Sequence, residues 1–131
     1  MTKYLLDVNA LVAFGIIDHA FHMRMIRWVK SQNSAILASC SITELGFVRV
    51  ASQTPTYGLT VAEARTELIR IKQLPELSWE FLADAQDISQ LPPWVKSGPQ
   101  TTDGHLVQLA AAYGAKLATF DSKIPGAFLI P

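Results

Sequence analysis

Three short apolar runs, at residues 3–8, in AILAS and in AKLATF, alternate along the chain with stretches of helical spacing. Runs of this length with little polar alternation suit strands buried on both faces, the condition of a parallel sheet covered by helices. LSWEFLA and AFLI are two further strand candidates. Parallel neighbours need crossover connections, and the intervening helices supply them. The chain is therefore expected to be α/β, with a central parallel sheet of about four to five strands flanked by helices on both faces.

The helical stretches carry their own boundary signals. NALVAFGI reads as a short helix with Asn9 as N-cap, and Asp18 is placed to cap HAFHMRMIRWVKSQN, where Phe21, Met25, Trp28 and Val29 recur at helical spacing. SITELGFVRVASQ ends before Thr54-Pro55, because the residue ahead of a proline is pushed out of the helical region. Thr60 and Glu63 form a capping box for VAEARTELIRIKQL. Thr101 or Thr102 caps DGHLVQLAAAYG, with Gly114 just past its end. Pro92, Pro93, Gly98 and Pro99 break the stretch between LSWEFLA and that last helix into loop.

A length of 131 residues suits one domain, 1–131, with a sizeable core. Half the residues are hydrophobic and 17% are charged, so some apolar surface is expected at an interface with another chain. No apolar run approaches the roughly 20 residues that cross a bilayer, and no signal-type segment opens the chain, which points to the cytosol. The single cysteine, Cys40, permits no intrachain disulfide and reads as core. A formal net charge of zero gives no global field for nucleic acid, so any such binding must use local basic groups. Arg24, Arg27 and Lys30, and Arg65, Arg70 and Lys72, are two such sets on predicted helix faces.

Asp7 interrupts an apolar strand–helix junction in KYLLDVNALVAF, at the strand end where open α/β sheets bind ligands. Asp103 in QTTDGHLV and Asp121 in KLATFDSK lie at comparable junctions, and Glu44 falls one turn into its helix. Singly, each has a structural explanation as a helix-dipole partner, a turn former or a solvated side chain. Together they predict one acidic cleft at the carboxyl edge of the sheet, with Glu44 reaching in on its longer side chain. Carboxylates within ~4–6 Å repel unless a cation neutralises them. Oxygen donors without a cysteine cluster favour Mg2+ or Mn2+, which activate water and steady phosphodiester displacement. Asn9 either caps the first helix or orients Asp7 or a water beside it. His19, His22 and His105 have no zinc-type spacing and read as surface or packing residues.

LLDVNALVAF, the later Glu44 and TTDGHLVQLAAAYGAKLATFDS together resemble the PIN domain family, and more narrowly its VapC-type toxins of bacterial toxin–antitoxin pairs. The resemblance spans essentially the whole chain. It implies a Mg2+- or Mn2+-dependent endoribonuclease in which Asp7, Glu44, Asp103 and Asp121 are the acidic quartet, Asp7, Asp103 and Asp121 hold the metal, and Asn9 supports the first acid. It further implies RNA as substrate, a homodimer, and a small antitoxin whose C-terminal segment covers the active site. Two other readings compete: a PIN-like scaffold that binds RNA or a partner without cutting, and an aspartyl-phosphate phosphotransferase using Asp7-Val8-Asn9. The latter normally requires a second Asp where Asn9 stands.

Overall fold

The computed structural model describes all of residues 1–131. Five strands, β1 (Lys3–Leu6), β2 (Ile36–Ser39), β3 (Ser78–Phe81), β4 (Lys116–Thr119) and β5 (Phe128–Leu129), form one parallel sheet in the order β3-β2-β1-β4-β5. Helices α1 (Val8–Gly15) and α2 (His22–Ser31) connect β1 to β2, and α3 (Ser41–Gln53) and α4 (Val61–Lys72) connect β2 to β3. Helix α5 (Thr101–Ala112) precedes β4.

The strand period of two sorts the core into two layers. Tyr4 and Leu6 of β1 enter a cluster with Leu11 and Phe14 of α1, Met25 and Trp28 of α2, Phe47 of α3, and Leu68 and Ile71 of α4. Leu5, pointing the other way, packs with Leu106, Leu109 and Ala110 of α5 and with Leu117 of β4. Helices thus cover both faces, as the continuous apolar strands require. Cys40 belongs to the α5 layer, fully buried and unpaired.

Strand order decides where a ligand crevice opens. From β1 the chain builds outward through β2 to β3, then crosses back to place β4 on the far side of β1. The direction of building reverses between β1 and β4, and connections diverge from the carboxyl ends of those two strands. Asp7 directly follows β1, and Asp121 follows β4 by one residue.

The boundaries of α3 and α4 match the sequence reading, including the reciprocal Thr60–Glu63 capping box. Gly114 takes φ +65° after α5, which a glycine adopts without steric cost. Three capping expectations need correction. The Asp7 carboxylate, rather than Asn9, caps α1, accepting from the Ala10 N–H at 2.8 Å, because β1 ends at Leu6 and the first helical bond runs from the Leu11 N–H to the Asp7 carbonyl. Asp18 caps nothing: residues 16–21 form successive turns and α2 starts only at His22. Neither Thr101 nor Thr102 caps α5, since a 3-10 turn over Gly98–Gln100 runs directly into it.

Candidate active site

A cleft of about 360 Å³ opens at the β1/β4 reversal, lined by Asp7, Asn9, Thr102, Asp103, Thr119 and Asp121 over an apolar floor that includes Val12, Leu106 and Ile124. Three of the four predicted acids therefore meet. Asp7 is delivered by the end of β1, Asp103 by the first turn of α5, and Asp121 by the turn after β4. None of the three takes part in an ion pair.

Asp7 is 8% exposed. Burial pushes its pKa above the ordinary carboxylate value, against the nearby Thr119 hydroxyl and the Ala10 N–H, which lower it; the charges of Asp103 and Asp121 raise it further. Asp103 is also raised, first by burial and then by Asp121. Both shifts come first from burial of the carboxylates, with the neighbouring acids adding to it.

Thr119, buried at the end of β4, is the site residue that the sequence reading missed. Its hydroxyl lines the cleft with Asp7 and accepts the Asp121 N–H at 3.0 Å, while Asp121 in turn accepts the Lys123 N–H at 2.9 Å. A β-branched residue closing an apolar strand reads as strand propensity alone, so its polar task has no local signature. What could have found it is position: it is the hydroxyl two residues before Asp121.

Glu44 does not join the cleft, and the expected quartet is a trio in this structure. Its carboxylate accepts from Lys72 Nζ at 2.6 Å and Ser39 Oγ at 2.5 Å, and it lines a separate hollow with Arg65 and Phe81. Helix phase is the reason. The α3 face turned toward α1 and the cleft carries Gly46, against Val8, and Val50, four residues on; Glu44 lies two residues from Gly46, rotated by about 200°.

The histidines occupy structural positions. His22 donates from Nδ1 to the Ala13 carbonyl at 2.7 Å, and His105 pairs with Asp84 at 2.5 Å, tying α5 to the segment after β3. His19 bonds to Asn9, at the edge of the cleft.

No three acidic, histidine or cysteine side chains stand close enough to enclose a cation by themselves. That does not disqualify the trio for Mg2+, which dehydrates reluctantly and is commonly held by one or two carboxylates with several waters retained. The all-oxygen donor set, its uncompensated charge and its raised carboxylates suit a hard divalent ion.

Comparison with known proteins decides the family. A model of the PIN domain matches residues 4–127. The chain belongs to the PIN domain family. Among curated relatives, this PIN domain is 36% identical over 125 residues to Ribonuclease VapC38 of Mycobacterium tuberculosis, covering 92% of this chain and 86% of that protein. It is 35% identical over 128 residues to Ribonuclease VapC44 of the same species, covering 93% and 88%. The crystal structure of Mycobacterium tuberculosis VapC20, described as a sarcin-ricin loop cleaving toxin, shares the PIN fold with a TM-score of 0.65 at 12% identity, covering 92% of each chain.

Proposed function

We propose that this PIN domain is a divalent-metal-dependent endoribonuclease, the toxin of a VapC-type toxin–antitoxin pair. The single observation that carries the metal-dependent reading is the convergence of Asp7, Asp103 and Asp121, without any cationic partner, at the carboxyl edge where the strand order reverses. The identity to VapC ribonucleases over more than nine-tenths of the chain supports the choice of RNA.

Asp7, Asp103 and Asp121 would hold Mg2+ or Mn2+, directly or through water. When bound, such an ion neutralises phosphodiester charge and acidifies a water. The chain's own residues do the rest. The Ala10 N–H fixes the buried Asp7 carboxylate, so little reorganisation accompanies substrate entry. Thr102 and Asn9 offer polar groups at the mouth of the cleft, and its apolar floor limits water.

Ile17, Leu45, Ile69 and Phe81 are large apolar side chains left exposed, which supports burial against other chains: a homodimer and an antitoxin. No helix is long and apolar enough to cross a membrane, and the proposed place of action is the cytoplasm.

The test is incubation of partner-free protein with total RNA in Mg2+ or Mn2+, beside an EDTA control, with sequencing of the fragment ends. Discrete fragments lost in EDTA support the reading and identify the RNA. Absence of cleavage by folded protein shown to bind Mn2+ points instead to a scaffold that binds without cutting.

A further inference from the structure

We infer that His19 is a positioning residue for the cleft, fixing the Asn9 carboxamide so that its N–H groups are presented to the phosphodiester. The inference rests on the reading of the cleft as a phosphodiester site, and its own content is the His19–Asn9 pair.

Asn9 sits in the first turn of α1 and lines the cleft beside Asp7. Because Asp7 already caps the helix, the Asn9 side chain is not needed for capping. Its Oδ1 lies 2.8 Å from Nε2 of His19, which comes from the turns between α1 and α2. The direction of that bond is settled by the other ring nitrogen. The Phe21 N–H points at Nδ1 from 2.9 Å, so Nδ1 is the acceptor and the proton of a neutral ring resides on Nε2. Nε2 therefore donates to the Asn9 carbonyl oxygen, and the amide orientation of Asn9 follows. The Nδ2 N–H groups are left without a protein partner on a residue that lines the cleft.

The ring itself is held. It stacks on Tyr57, with centroids 6.5 Å apart and planes 23° apart, and packs against Phe21 at 5.8 Å. Burial, with the neighbouring His22, lowers the His19 pKa and favours the neutral ring that this bonding pattern requires.

A neutral donor is what the chemistry of this cleft calls for. A lysine or arginine there would pair with the Asp7, Asp103 and Asp121 carboxylates and compete with a divalent ion for them. A carboxamide whose oxygen is already engaged offers N–H groups to a phosphate oxygen without neutralising the metal site. His19 acts only through Asn9, and its loss should let the amide rotate or reverse.

The experiment is a double-mutant cycle on a short RNA that the parent cleaves with Mn2+, measuring kcat and KM, with Mn2+ affinity by calorimetry and folding by thermal melting. His19→Leu is expected to lower kcat/KM about tenfold, the scale of one oriented hydrogen bond, with Mn2+ affinity unchanged. His19→Gln, which retains a donor for Asn9, should recover most of that loss. Asn9→Ala should reproduce the loss, and the double variant His19→Leu with Asn9→Ala should be no worse than Asn9→Ala alone. Unchanged kcat/KM in folded His19→Leu, or losses that multiply in the double variant, would overturn the inference while leaving the nuclease reading intact. A parent that binds Mn2+ but cleaves no RNA would overturn that reading and this inference with it.

Discussion

The Thr119 hydroxyl, buried at the end of β4, accepts the Asp121 N–H at 3.0 Å in the cleft that also holds Asp7. The turn that delivers Asp121 is thereby anchored to a buried group beside Asp7. Thr119→Val keeps shape and strand propensity but removes this bond. The expected cost is about 1 kcal/mol in stability, the scale of one lost hydrogen bond. Cleavage should fall at least about tenfold, whereas Thr119→Ser retains most of both; denaturant unfolding and cleavage rates check this.

Glu44 is a surface-facing partner of Lys72 rather than a wall of the cleft. Glu44→Gln should therefore leave metal-dependent cleavage within a few-fold of the parent. Its stability cost should be about 1 kcal/mol or less, because the pair is partly solvated and Gln still accepts from Ser39. Parallel cleavage assays of Glu44→Gln and Asp7→Asn measure the difference directly.

Burial of these acids, and secondarily their crowding, costs the metal-free fold stability, and the sign follows from the raised Asp7 and Asp103 pKa values. Between the unfolded and the higher folded pKa, the native state holds protons that the unfolded chain has released. Stability from these groups thus falls as pH rises through that window, and the full penalty persists above the folded pKa. Asp7→Asn keeps an N-cap oxygen while removing the charge. In EDTA at neutral pH its melting temperature should exceed that of the parent, with the gap closing in acid, and Mn2+ should stabilise the parent more than the variant. Thermal melts across pH, with and without Mn2+, test all three statements.

Gly104, directly after Asp103, permits the loop before α5 to lie against that helix. A Cβ there would stand 2.3 Å from Val95 Cγ2, with Pro92 and Trp94 close behind. Alanine would ordinarily add about 1 kcal/mol of helix propensity. The clash with a stiff valine should outweigh it, giving a net loss of about 1–2 kcal/mol and a displaced loop. Chemical denaturation of Gly104→Ala gives the sign.

Much of this was written in local signals. Apolar runs without alternation announced a parallel sheet, and the Thr60–Glu63 box and Thr54-Pro55 set the ends of α4 and α3. Asp7 and Asp121 were legible because each ends an apolar strand run, and Asp103 because it falls at the start of an apolar helix. What escaped depends on tertiary placement. DHAFH looks like a helix start, yet the Phe21 N–H is taken by His19 and the helix waits until His22. Glu44, one turn into its helix, was expected to reach the cleft on its longer side chain, but the turn of α3 directs it toward α4 and Lys72.

The most direct measurement of the central claim is RNA cleavage by Asp7→Asn in Mn2+, with the variant shown to be folded. A loss of at least about a hundredfold is expected, the scale on which removal of one preorganised electrostatic group acts. Metal-dependent cleavage by Asp7→Asn at the parent's rate would contradict it.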